Sequence, residues 1–317
     1  MAQNPLVRPF TPAPPSLRHK TDPLSVIQEA VTLYNLGHTL AEASAALKTR
    51  RGVRVPTSTL GSWIAEHREL TTSYARLRDE GRKLFSPRQV IRTTKLYHRQ
   101  VYEYAYHRPK LALLRKSAQH ARFAPLADFL EAVLDICPHD LFAESSRASQ
   151  SVAPFINPAK RIAIEKQNFA TRSAALVIPA VGDNYKRHET LQRFMLANDS
   201  VTLAVEVPIW LTVADSAALE EQHGIRLAED RSASPVITGH IDFIQVRNGA
   251  IHLLDYKPGA RNERPFAQLT IYALALTRLV PGLRLFDTKC GWFDQHEYSE
   301  FFPRTLLARS NAEAVSV

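Results

Sequence analysis

The chain has 317 residues, with 40 Lys+Arg against 31 Asp+Glu, a formal net charge of +9, and 45% apolar residues; at about 100–200 residues per domain this length suggests two globular domains. Glu206 and Arg278 interrupt the two best apolar stretches, so none reaches the ~18–20 residues of a membrane helix, and the N-terminus MAQNPLVRPFTPAPP lacks the apolar core of a signal peptide. Two cysteines far apart, Cys137 and Cys290, exclude a disulfide framework, a four-cysteine zinc site and a cysteine-ligated iron–sulfur cluster, and fit a reducing cytoplasm.

The charge is unevenly placed. Residues 1–122 hold 21 Lys/Arg and 8 Asp/Glu, whereas residues 123–317 hold 19 and 23. A basic first part beside a mildly acidic second part is the pattern of a polyanion-docking module next to something else, or of a solvated basic face. Residues 1–22, rich in proline, read as a disordered arm. Val26, Ile27, Ala30, Val31 and Tyr34 then recur at helical spacing up to Gly37. Thr39 to Glu42 reads as a capping box opening a second helix, which buries Leu40, Ala43, Ala46 and Leu47. Pro56-Thr57 opens a third, with Leu60, Trp63 and Ile64 on one face. This unit, from Ala30 to His67, resembles the helix-turn-helix of transposases and resolvases, which sets its last helix in the major groove. The resemblance implies Arg50, Arg51 and Arg54 at phosphates, and Thr57, Ser58, Thr59 and Ser62 outward, with Glu66 or His67 beside them. The same pattern describes any small three-helix unit, and Trp63 suits its core.

Residues 73–135 read as helical and basic. Arg88, Arg92, Lys95, Arg99, Arg108, Lys110, Arg115 and Lys116 alternate with Tyr97, Tyr102, Tyr104 and Tyr106. The tyrosines either stack on unpaired bases or bury a helical face. A serine-rich stretch, 144–153, has linker composition. Beyond it the period turns to two: Leu203 to Val213, Ile237 to Val246 and Ala250 to Lys257 read as strands, Phe266 to Leu279 as an amphipathic helix, and Gly291 to Phe302 as a closing strand. The second half is therefore α/β.

Asn248-Gly249 predicts a two-residue type I′ hairpin turn. If Arg247 faces Ala250, then Asp242 faces Asp255, with Cβ atoms about 4.5–5.5 Å apart, and Lys257 lies two residues further along that face. Opposed carboxylates call for a cation, and oxygen ligands suit Mg²⁺ or Mn²⁺. An ammonium beside them can stabilise charge developing on a phosphodiester. An Asp–Lys ion pair on an ordinary hairpin would look the same.

Gly239-x-x-Asp242, Asp255-x-Lys257 and Gln268-x-x-x-Tyr272, in this order, resemble the motif series of the RecB-like branch of the PD-(D/E)XK nucleases, over about residues 184–303. The resemblance implies an α/β (α+β) restriction-endonuclease-like mixed sheet flanked by helices. It implies metal-dependent hydrolysis with Asp242, Asp255 and Lys257 at its centre, and Gln268 and Tyr272 near the metal and the DNA backbone. His188 matches an upstream metal ligand, with Glu189 a rival. Glu206 and the backbone carbonyl of Tyr256 are further candidates. His240 and His252 flank the site without an assigned role. Mg²⁺ or Mn²⁺ is the expected cofactor. No iron–sulfur cluster is expected, and no nucleotide cofactor, because no GxxxxGK[ST] motif occurs. DNA is the expected partner, a homodimer would suit double-strand cutting, and no membrane is expected. The competing readings are a non-catalytic DNA-binding regulator and a mobile-element component. The organisation expected is an arm (1–22), a helix-turn-helix module (23–72), a basic helical region (73–143), a linker (144–158), the nuclease domain (159–305) and a tail (306–317).

Overall fold

The structure is a computed structural model describing residues 23–72, 75, 86–150, 164–165, 168–227 and 236–307. The expected arm, most of the tail and residues 151–158 of the expected linker lie outside the described residues. The longer helices are α1 (Pro23–Asn35), α2 (Leu40–Arg51), α3 (Thr57–Glu66), α4 (Arg108–Lys116), α5 (Ala124–Ile136), α6 (Phe169–Val177), α7 (Asn184–Asn198), α8 (Val213–His223) and α9 (Phe266–Leu279). The strands are β1 (Ile91–His98), β2 (Gln100–His107), β3 (Ser146–Arg147), β4 (Ile164–Glu165), β5 (Thr202–Leu211), β6 (Ile237–Arg247), β7 (Ala250–Tyr256), β8 (Thr288–Phe293) and β9 (Tyr298–Phe301).

Among the described residues, all nine strands join one mixed sheet in the order β1-β2-β5-β6-β7-β8-β9-β4, with β3 beside β6. The β7–β8 and β3–β6 pairs are parallel and the others antiparallel. The one long parallel crossover, β7 to β8, runs through α9. Apolar helices cover both faces of this sheet, which is why every residue of β5 is buried and its sequence reads as a nearly unbroken apolar run. One core gathers α4, α5 and α9 against residues such as Leu253 and Ile244. The other gathers α1–α3, α6 and α7 against Phe243, Leu254 and Phe293. Adjacent residues Leu253 and Leu254 thus serve opposite layers, as strand alternation requires.

The first three helices form as their sequence anticipates. Thr39 and Glu42 make the reciprocal capping box, and Gly52 closes α2 in the left-handed region at φ 70°. Leu60 and Trp63 are buried. These helices are not isolated from the sheet layer. Asn35 donates to Asn198 Oδ1 of α7 (2.6 Å), and Gln28 donates to the carbonyl of Leu176 in α6 (2.6 Å).

Three expectations are corrected. Residues 91–107 are a β-hairpin, turning at Arg99 (φ 61°), rather than helix. The basic residues there recur at three- and four-residue intervals that imitate a helical face, while Tyr102, Tyr104 and Tyr106 keep the strand period of two. Ser146 and Arg147, within the expected linker, pair with Ile237 and Thr238. The closing strand is a two-stranded hairpin, β8–β9, continued by β4.

Lys110 is buried rather than surface-basic. Its ammonium donates to the carbonyls of Leu196 (2.5 Å), Asp199 (2.6 Å) and Thr202 (2.9 Å), which gather where α7 ends and β5 begins. The carbonyl of Leu196 is an orphan acceptor of the last turn of α7, and a cation is a natural cap for it.

Candidate active site

The hairpin β6–β7 sets the geometry. Asn248 and Gly249 both adopt positive φ, 51° and 69°, as a type I′ turn demands. The register Arg247↔Ala250 runs to Phe243↔Leu254 and brings Asp242 opposite Asp255, as the turn anticipates. On the other side, Val205↔Phe243 and Val207↔Ile241 place Glu206 across from Asp242. Three carboxyl groups therefore stand in a row across β5, β6 and β7.

Glu206 has a backbone no regular strand would give it. Its φ of 51° lies in the left-handed region, which costs a non-glycine residue about 1–2 kcal/mol. The strand alternation breaks there. Val205 and Phe243 pack in the layer of the N-terminal helices, while Val207 and Ile241 pack in the other. The carboxyl so placed is 8% exposed and accepts from Gln192 Nε2 at 2.7 Å.

His188, near the start of α7, puts Nε2 2.8 Å from Asp242 Oδ2, and the backbone N–H of Tyr256 donates to the same oxygen at 2.9 Å. His188 Nε2, Glu206 and Asp242 offer ligand atoms all within 4.8 Å of one another. Lys257 Nζ lies 3.0 Å from Oδ2 of Asp255, whose side chain is 5% exposed. Gln268 donates to the hydroxyl of Tyr272 at 2.9 Å, one helical turn along α9. Gly239 is required by that ring: a Cβ there would meet Tyr272 Cε1 at 2.6 Å.

The charges are strongly interdependent. Burial and the neighbouring Asp242 hold the Asp255 carboxyl well above its ordinary range, and it shares a hydrogen bond with Asp242. Burial also raises Asp242, but the charge and hydrogen bond of His188 more than reverse this and leave it below its usual value. Burial and Asp242 push Glu206 up to about 7. Burial lowers His188, yet Asp242 overcomes this and raises it to about 9. A cluster that draws in a proton to balance its own carboxylates has the electrostatics of a cation site.

Residues 139–290 match the family model of the PD-(D/E)XK nuclease superfamily. The matched segment holds all of Asp242, Asp255, Lys257, Gln268, Tyr272, His188 and Glu206, while α1–α3 and the β1–β2 hairpin precede it. No curated protein and no solved structure matches the chain. The mixed α/β architecture agrees with a PD-(D/E)XK fold, whose members are generally nucleases. No described helix is long and apolar enough to cross a membrane.

Gln192 escaped the sequence reading. It sits four residues after His188, with its amide nitrogen 3.2 Å from the histidine's Nε2, and it donates to Glu206. Its helical spacing from His188 was the available signal. Glu189 instead pairs with Arg193, at 2.6 Å. The backbone N–H of Tyr256 donates to Asp242. Among the N-terminal candidates, Arg54, Thr57, Ser58, Ser62 and Glu66 are exposed and Thr59 is half-buried, but His67 is buried. Arg50 and Arg51 both pair with Glu29, at 3.4 and 2.5 Å.

Proposed function

We propose that the chain is a divalent-metal-dependent deoxyribonuclease of the RecB-like branch, held on DNA by its N-terminal helices. The observation that carries the reading is the carboxyl row Glu206–Asp242–Asp255, flanked by His188 on one side and Lys257 on the other. The donor set fits the cofactor. One imidazole nitrogen and several carboxylate oxygens, gathered with too little positive charge, suit Mg²⁺ or Mn²⁺. His188, Glu206, Asp242 and Asp255 would hold the ion. A bound ion of this kind polarises a phosphodiester and lowers the pKa of a coordinated water.

The protein's own groups do the rest. Lys257, paired with Asp255 yet 26% exposed, presents an ammonium to a phosphate oxygen and stabilises the charge that builds there. Gln192 holds Glu206, Asp242 holds His188, and the N–H of Tyr256 fixes Asp242. Gln268 and Tyr272 shape the floor of the site on α9. Arg54, Thr57, Ser58, Thr59 and Ser62, with Arg50 and Arg51 behind them, contact the DNA. Cutting both strands with one site per chain calls for two copies.

The test is incubation with linear and circular DNA in Mg²⁺, Mn²⁺ or EDTA. Cleavage is expected only with metal, and Lys257→Ala is expected to lower it at least 100-fold while leaving DNA affinity nearly unchanged. Absence of metal-dependent cleavage by protein shown to bind DNA overturns the reading.

A further inference from the structure

A second cluster of metal-ligating side chains lies beside β6, outside the carboxyl row. His98 ends β1, and Cys137 and His139 follow the C-terminus of α5. His98 Nε2, His139 Nδ1 and Cys137 Sγ converge so that the candidate ligand atoms are all within 4.8 Å of one another. The two ring nitrogens face each other at 2.8 Å. His98 and Cys137 are buried, at 3% and 7% exposure, and His139 is exposed.

The remaining nitrogens of both rings are anchored. His98 Nδ1 lies 2.9 Å from His240 Nε2, and His139 Nε2 lies 3.3 Å from the carbonyl of Leu134. A carbonyl only accepts, so His139 carries its proton on Nε2 and turns the Nδ1 lone pair toward His98 and Cys137. That is how a ligating histidine is oriented, its outer N–H held by an acceptor and its inner nitrogen aimed inward. Stacking of Phe142 on the His98 ring, with centroids 3.8 Å apart, fixes the second ring as well.

We propose that His98, Cys137 and His139 bind a zinc ion, with a fourth position open to solvent on the His139 side. Zinc bonds of about 2.0–2.1 Å to nitrogen and 2.3 Å to sulfur put tetrahedral ligand atoms roughly 3.3–3.6 Å apart, so the cluster needs only small side-chain adjustments to close on an ion. One thiolate and two imidazoles select zinc, or cobalt in its place, over the magnesium and manganese that suit the carboxyl row. On binding, the Cys137 thiol proton and the proton that His98 Nε2 shares with His139 Nδ1 are released to solvent, His98 takes up a proton on Nδ1, facing His240 Nε2, so that it stays neutral, and the sulfur–metal and nitrogen–metal bonds form. The ion would staple the β1–β2 turn to the segment after α5. Through His240, two residues before Asp242 on β6, it would also brace the strand that carries the carboxyl row.

The test uses full-length protein, metal analysis after purification, and titration of the stripped protein with Co²⁺. One zinc per chain is expected, and Co²⁺ should give the near-ultraviolet thiolate-to-cobalt band that an oxygen-and-imidazole site cannot give. Cys137→Ser should abolish the band, whereas Cys290→Ser should keep it. His139→Ala, a change at an exposed ring that spares the core, should weaken Co²⁺ binding about 100-fold or more. A wild-type protein without the band overturns the proposal, as does a band that survives in a folded Cys137→Ser protein. Should Cys137→Ser fail to fold, unchanged affinity in His139→Ala overturns it. Because the band reports sulfur ligation alone, the result is independent of whether the carboxyl row cleaves DNA.

Discussion

Gly239→Ala adds a single methyl group, and its consequence follows from three distances. That methyl would stand 2.6 Å from Tyr272 Cε1, 3.1 Å from its hydroxyl and 3.2 Å from Cζ. Carbon atoms rest at about 3.5–4.0 Å, so the ring must retreat by roughly 0.9 Å. It has little room to do so. Tyr272 is 5% exposed, and its hydroxyl accepts from Gln268. Overpacking of this size costs about 1–3 kcal/mol, which lowers the melting temperature by roughly 1.5–5 °C in a protein of this length. Cleavage should fall with it, because the displaced ring carries Gln268 away from its place. The assay is urea unfolding of Gly239→Ala, Tyr272→Leu and the double variant. In the Tyr272→Leu background the colliding atoms are gone, and the methyl should cost less than about 0.5 kcal/mol. Equal costs in the two backgrounds would refute the argument.

Three other changes have expected outcomes. Lys110→Met leaves three buried carbonyls without their donor, and chemical denaturation should show a loss of about 3 kcal/mol or more. Glu206→Gln removes a buried like charge across from Asp242. Thermal unfolding should show a gain of up to about 1 kcal/mol, while cleavage in Mn²⁺ drops at least tenfold; a stabilised variant with full activity would exclude Glu206 as a ligand. Glu29→Gln frees Arg50 and Arg51, so DNA affinity should rise and the slope of log K against log salt should steepen by about 1–2 units. An unchanged slope in filter binding would show that those guanidinium groups do not meet phosphate.

The geometry of the candidate site was legible where chemistry and local geometry coincide. Asn248-Gly249 dictates a turn of known length, so arithmetic alone aligns Asp242 with Asp255, and Phe243↔Leu254 confirms the register. Phe266–Leu279 is helical as its periodicity indicates. What stayed hidden depends on partners distant in the chain. The spacing of basic residues between Arg88 and Lys116 outweighed the period of two in the tyrosines, because a row of charges on a strand edge and on a helix face can share intervals. Lys110 read as one more residue of a basic helical region, since nothing local announces three carbonyls from residues 196–202. The turn of the backbone at Glu206 is invisible to pattern reading, which assumes that a strand alternates throughout. The meeting of His98 with Cys137 and His139 spans some forty residues of sequence and exists only once the hairpin and α5 have packed.

The bond between Asn35 and Asn198 joins α1 to the far end of the helix that begins near His188. Two modules on a flexible tether would sample many separations, and whatever one grips would bear no fixed relation to where the other acts. Here the joint is a buried amide pair within a shared apolar core. The distance from the outward face of α3 to the carboxyl row is therefore a constant of the fold. If DNA is gripped at α3 as proposed, it would be measured off at the carboxyl row, as by a caliper with its jaws locked.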